Sequence, residues 1–107
     1  MHVIICGSSG YIPSDSDYAW LSTLNLDFVR HKRSAYLGRL IGEYCERVGI
    51  PHKVYRKEYA IADMMTDALI QDRTNGASIG LIMFPGGKGT GKLVMLAVQK
   101  RVPVITR

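Results

Sequence analysis

Two short glycine clusters are the parts of this chain whose residue types and spacing could do chemistry. Gly7-Ser8-Ser9-Gly10 follows the apolar run His2–Cys6, and Pro85-Gly86-Gly87-Lys88-Gly89-Thr90-Gly91-Lys92 follows the apolar run Ile79–Phe84. Backbone amides can wrap an anionic oxygen only where the chain takes unusual φ values and no Cβ blocks the approach, which glycine permits. A helix starting after the second cluster would add free N–H groups and the positive end of its dipole. Lys88 and Lys92 contribute mobile charge and Thr90 a hydroxyl donor. The chemistry expected is capture of a phosphate or sugar–phosphate, with Gly86–Thr90 on the phosphate and Gly7–Gly10 on the sugar or a second phosphate.

Residues nearby extend this candidate site. Tyr11 and Trp20 could stack on a base, Trp20 equally packing under the first loop. Arg30-His31-Lys32-Arg33, at the strand end expected to neighbour the first loop, reads either as a clamp on a second phosphate or carboxylate, with Arg33 a further source of charge, or as a solvated turn. Gly86 to Lys92 also fits the first seven positions of the GxxxxGK[ST] nucleotide-triphosphatase loop. Leu93 stands where a Ser or Thr must hold Mg²⁺, and that loop normally follows an early strand, so the match is set aside. Cys6 and Cys45 are too few for a disulfide scaffold, and no spacing suggests a metal. With no His placed to activate it, Cys6 reads as packing, as does Cys45 on a helical apolar face. Asp63 and Asp67, four apart, read as a solvated helix face.

These residues need elements to hold them. At 107 residues, 47% hydrophobic and 21% charged, the chain is expected to form a single domain over residues 1–107 with one real core. Strands are expected at His2–Cys6, Leu24–His31, Pro51–Tyr55, Ile79–Phe84 and Val102–Ile105. Helices are expected from a cap at Ser16 or Asp17 to about Thr23, from Ser34 to Val48 with Gly49 at the C-terminus, from Ala60 to about Gln71, and from the second glycine cluster to Lys100. This alternation predicts a Rossmann-like α/β three-layer sandwich around a five-stranded parallel sheet of order 3-2-1-4-5. That order brings the loops after the first and fourth strands together at the switch point where such sheets bind ligands. The first helix is short for the sheet it must cover and no helix follows the last strand, which predicts a homodimer.

The net charge of +5 and the pI near 9.4 favour an anionic partner, though part of this charge is expected to serve solubility. No apolar stretch approaches the ~20 residues needed to cross a bilayer. The opening Met1–Cys6 has neither the basic start nor the cleavage site of a secretion signal, so a cytoplasmic location is expected.

Two segments resemble a known superfamily. Ile5-Cys6-Gly7-Ser8-Ser9-Gly10 is similar to the opening CGSS-G loop of the nucleotide-binding superfamily that includes the LONELY GUY phosphoribohydrolases and the SLOG sensor domains. Phe84-Pro85-Gly86-Gly87-Lys88-Gly89-Thr90 resembles its PGGxGT signature. The resemblance implies the fold and a nucleotide-like ligand. In the hydrolases the signature continues to a Glu needed for cleaving the N-glycosidic bond, and here that position is Leu93, which can act as neither acid nor base. The family's central GGG segment is replaced by Arg30-His31-Lys32-Arg33-Ser34. Arg73 is the nearest counterpart of the Arg–Lys pair preceding the PGG strand.

The combined expectation is a small module that binds a nucleotide or nucleotide-derived molecule without turning it over, with no cofactor and no metal. A divergent phosphoribohydrolase using Glu58 or Asp63 is the second reading. A nucleic-acid-binding protein ranks last, because no aromatic-interleaved basic strip is present.

Overall fold

Apolar residues set at two-residue and 3.6-residue periods dictate the layers of the molecule. A computed structural model describes residues 1–56, 61–87 and 90–107. The candidate residues Lys88 and Gly89, the carboxylate of Glu58 and the expected helix start at Ala60 lie outside them. The elements are β1 (His2–Cys6), α1 (Asp15–Ser22), β2 (Phe28–Lys32), α2 (Leu37–Val48), β3 (His52–Tyr55), α3 (Ile61–Asp67) running into a π-helical segment (Ala68–Arg73), β4 (Ile79–Met83), α4 (Thr90–Gln99) and β5 (Val104–Thr106). All strand pairs are parallel and their order is β3-β2-β1-β4-β5, as the sequence predicts.

The strand period of two divides the core. Val3 and Ile5 of β1, Val29 of β2 and Ile82 of β4 point to one face, where Leu21 of α1 and Leu37, Ile41 and Cys45 of α2 cover them. Ile4 and Leu81 point to the other, beneath Met64 and Met65 of α3, Ala68, and Leu93 and Ala97 of α4. β1 and β4 are apolar on both faces, as strands covered on two sides must be.

Element boundaries depart from expectation for local reasons. α1 is capped by Ser14, not Ser16 or Asp17. The Ser14 hydroxyl accepts from the Asp17 N–H while the Asp17 carboxylate accepts from the Ser14 N–H, a reciprocal capping box. β2 begins at Phe28 and not Leu24. Asn25 sits at φ +52, and Asp27 binds the N-terminal amine, so the chain turns before it extends. α2 starts at Leu37 because Ser34 turns its hydroxyl onto the Gly38 N–H at 2.7 Å. Gly49 ends that helix in the left-handed region, φ +79. β5 starts after Pro103, leaving Val102 buried in the preceding turn. The third expected helix changes to wide π turns after Asp67, and these carry Asp72 to the buried guanidinium of Arg30.

For two of the four residues of the basic stretch both expected readings fail. Arg30 and His31 form neither a clamp nor a solvated turn, because both are buried in β2 and point to opposite faces. His31 Nε2 meets Nδ1 of His52 on the neighbouring strand at 2.9 Å, and His52 Nε2 lies 3.1 Å from Glu46. Burial, and secondarily the nearness of His52, push His31 down to about 4. An unfolded chain protonates this imidazole below about 6.5, so between that pH and 4 the unfolded state binds more protons and stability falls as pH falls. The urea midpoint is therefore expected to drop from pH 7.5 to 4.5. In His31→Gln the drop should be smaller, and equal drops in the two proteins would refute the assignment.

Candidate functional site

The two glycine loops meet at the carboxyl ends of adjacent strands. β1 and β4 pair from His2 opposite Ile79 to Cys6 opposite Met83, so both chains leave the sheet side by side. The ladder continues into the loops: the Phe84 N–H donates to the Cys6 carbonyl at 2.8 Å and the Ser8 N–H to the Pro85 carbonyl at 3.1 Å. Glycine is required by this approach. A Cβ on Gly86 would lie 2.9 Å from Ser8 Cβ, and one on Gly7 would lie 2.9 Å from Phe84 Cβ and 3.0 Å from its carbonyl oxygen. Gly86 and Gly87 take successive φ values of +83 and +98, which side chains rarely adopt. Pro85, Gly86, Gly87, Ser9 and Gly10 are exposed, and Ser8 is half-buried.

The first loop spends much of its hydrogen-bonding capacity internally. The Gly10 N–H donates to Ser8 Oγ at 3.3 Å and the Tyr11 N–H to the Ser8 carbonyl at 3.0 Å, while the Ser9 carbonyl accepts from the Leu37 N–H at 3.2 Å. With the Ser8, Gly10 and Tyr11 amides committed, this loop is a brace held to β4 and α2. Gly91 and Lys92 begin α4 beside the second loop, both exposed, with no acidic residue in that first turn. Lys92 stands at the end where a helix dipole disfavours a cation unless an anion is near.

Beneath the crevice lies an aromatic and ionic support. Tyr11 stacks on the buried Phe84 with ring centres 5.2 Å apart, and Trp20 meets Phe84 edge-on at 6.5 Å. The Tyr11 hydroxyl donates to Asp17 at 2.6 Å, and Arg107 Nε donates to the same carboxylate at 2.8 Å with its guanidinium over the Trp20 ring. Burial pushes the Asp17 carboxyl up, but the Tyr11 hydroxyl, the Ser14 N–H and Arg107 outweigh it and hold it down at about 2. Tyr11 and Trp20 thus support the loops from below. Arg107 was not legible as part of this support, since its partner Asp17 lies 90 residues earlier in the chain.

The remaining candidates are scattered. Arg33 is exposed at the same end of the sheet, its N–H donating to the Tyr55 carbonyl at 2.7 Å. Arg73 lies at the other end, before β4, where Nη1 donates to the Lys100 carbonyl at 2.9 Å, so it cannot reach the crevice. Asp63 is exposed, whereas Asp67 is tied to β3 by the Tyr55 hydroxyl at 2.8 Å and Lys53 Nζ at 3.3 Å, correcting the fully solvated face expected for the pair. Leu93 points into the core with 2% exposure, so a carboxylate there would be buried among apolar groups. Burial pushes the Cys6 thiol up to about 12 and the Cys45 thiol to about 11, which leaves both protonated at neutral pH.

Among the described residues no group of three or more His, Cys, Asp or Glu side chains is placed to hold a metal ion. No described helix is long and apolar enough to cross a membrane. Compared with models of known families, with curated proteins and with solved structures, the chain matches none.

Proposed function

We propose that this chain is a binding module for a nucleotide or nucleotide-derived molecule, a divergent relative of the SLOG and LONELY GUY-like superfamily that holds its ligand without hydrolysing it. The observation that carries this reading is the contact between the two glycine loops at the switch point of the parallel sheet, where sheets of this order take ligands. Within it the two loops have different tasks. Pro85–Lys92 and the first turn of α4 receive the phosphate, with Lys92 and, outside the described residues, Lys88 and Gly89 as its partners. Ser8, Ser9 and Gly10 face the sugar and fix the height of the second loop. Arg33 is the cation available for a second anionic group.

The non-catalytic part of the proposal rests on the carboxylates. Leu93 is buried, and Asp17, held at about 2 by three donors, is ionised across the working pH range and unavailable to donate a proton. A thermal-shift series with nucleoside mono- and diphosphates, cyclic nucleotides and ADP-ribose tests the reading. A ligand present at about 100 times its Kd stabilises the fold by roughly 2.7 kcal/mol, a rise of several degrees for a domain of this size. Lys92→Glu is expected to reduce the rise. No shift with any of these compounds at millimolar concentration refutes binding, and release of free base refutes the non-catalytic assignment.

A further inference from the structure

The charge of the chain is divided unevenly along its length. Residues 1–72 hold eight Lys/Arg and nine Asp/Glu, whereas residues 73–107 hold six Lys/Arg and no acidic residue. The whole positive surplus therefore falls in the unit that runs from Arg73, at the end of the π-helical segment, through β4, α4 and β5 to Arg107. Its helix is apolar on both sides. Leu93 and Ala97 face the sheet at 2% and 0% exposure, while Met95 and Val98 face outward at 65% and 67%, the most exposed large apolar side chains among the described residues.

A helix apolar all round is normally covered on every side. Met95 and Val98 are three apart and adjacent on the helix surface. Exposed Lys92 precedes Met95 by three residues, and exposed Lys100 and Arg101 follow Val98. Lys92 stands before the apolar pair in the first turn of α4, and Lys100 and Arg101 lie in the turn that follows the helix.

We propose that the outward face of α4 docks an acidic amphipathic helix of a partner protein, its apolar stripe on Met95 and Val98 and its carboxylates on Lys92, Lys100 and Arg101. Charge decides among the occupants. A second copy seated face to face would set two all-basic units against each other, which costs several kcal/mol. Nucleic acid would place its phosphates against Met95 and Val98, and the unit's single aromatic, Phe84, is fully buried and offers no base a stacking surface. A membrane-lying face would carry Trp, Phe or Leu anchors, and this one exposes none. An acidic helix alone satisfies both the apolar centre and the basic ends.

The test is fluorescence anisotropy of the full chain with a labelled probe peptide of about 18 residues, long enough for partial helicity, carrying Leu at i, i+3, i+4 and i+7 and Glu elsewhere. Binding should weaken at least ~10-fold for a scrambled peptide of equal composition and for Met95→Glu/Val98→Glu, the magnitude expected of losing a central anchor. Lys100→Glu/Arg101→Glu should weaken it similarly and reduce its dependence on salt. All four positions are exposed, and unchanged circular dichroism would show that the variants keep the fold. The proposal is overturned by no binding at millimolar peptide, by equal binding of the scrambled peptide or the Met95/Val98 variant, by tighter binding to a dT20 strand or to phosphatidylserine vesicles, or by a wild-type dimer that Met95→Glu/Val98→Glu dissolves. Lys92 is common to this face and the phosphate site, and because these variants alter neither Lys92 nor the glycine loops, the nucleotide experiment reports separately.

Discussion

Replacing Asp72 by alanine is expected to cost about 3–5 kcal/mol, the loss usual when one partner of a buried ion pair is removed. Arg30 is 2% exposed in the middle of β2, and its guanidinium reaches Asp72 through Nε–Oδ2 at 3.1 Å and Nη2–Oδ1 at 2.6 Å. Nη1 donates to the Tyr55 hydroxyl at 2.8 Å, which in turn donates to Asp67 at 2.8 Å. Without Asp72 the guanidinium keeps its cost of desolvation and loses its counter-charge. In a domain whose total stability is about 5–15 kcal/mol, that is a loss of a fifth or more. Urea unfolding of Asp72→Ala measures it, and a loss under ~1 kcal/mol would mean that water reaches Arg30. The double variant Arg30→Met/Asp72→Leu, which removes both charges, is expected to recover most of the loss, since apolar replacement of a whole buried pair is often neutral.

Gly86→Val is expected to cost roughly 2–5 kcal/mol, combining a left-handed backbone that valine resists with a methyl driven into Ser8. Gly49→Ala separates the two effects. Its φ of +79 is close to the +83 of Gly86, yet its added Cβ meets nothing within 4 Å. It should cost only ~1–2 kcal/mol, the strain alone. The larger consequence of Gly86→Val is for binding. A side chain at Gly86 separates the loops, so nucleotide-induced stabilisation should disappear even at temperatures where the variant remains folded. If the variant keeps both its stability and its ligand response, the close approach at Ser8 is not what holds the site together.

The sheet was legible because its signals are local. Apolar runs mark β1 and β4, prolines set off β3 and β5, and the even alternation of strands and helices implies the parallel sheet. The glycine clusters were legible as a pair for the same reason. What escaped depends on partners distant in the chain. Arg30 and His31 look like surface charge in a run of four basic residues. Only Asp72, 42 residues on, and His52, 21 residues on, make their burial affordable. The wide turns of Ala68–Arg73 belong to the same problem, since they carry Asp72 and Gln71 to one guanidinium, with Gln71 Oε1 at 3.3 Å. Propensity favours an ordinary helix there and cannot register a carboxylate's need to reach a cation on another strand. The first glycine loop misled differently. Its residue types suit an anion cradle, but three of its amides serve the loop itself and its neighbour.

β1 precedes both strands it pairs with and stands at the centre of the finished sheet. β1 is flanked by β2, which follows within 30 residues, and by β4, whose pairing joins His2 to Ile79. During synthesis β1, β2 and β3 can associate early with α1 and α2, closing one face. The other edge of β1 stays unpaired until β4, more than 70 residues further along the chain, has emerged. Folding is therefore held back by the closure of a long loop, and contacts of such separation slow the transition state. In the interval β1, apolar on both faces, presents an open edge to any other strand. The contact between the glycine loops needs β4 beside β1, so the candidate site forms with that pairing and not before it.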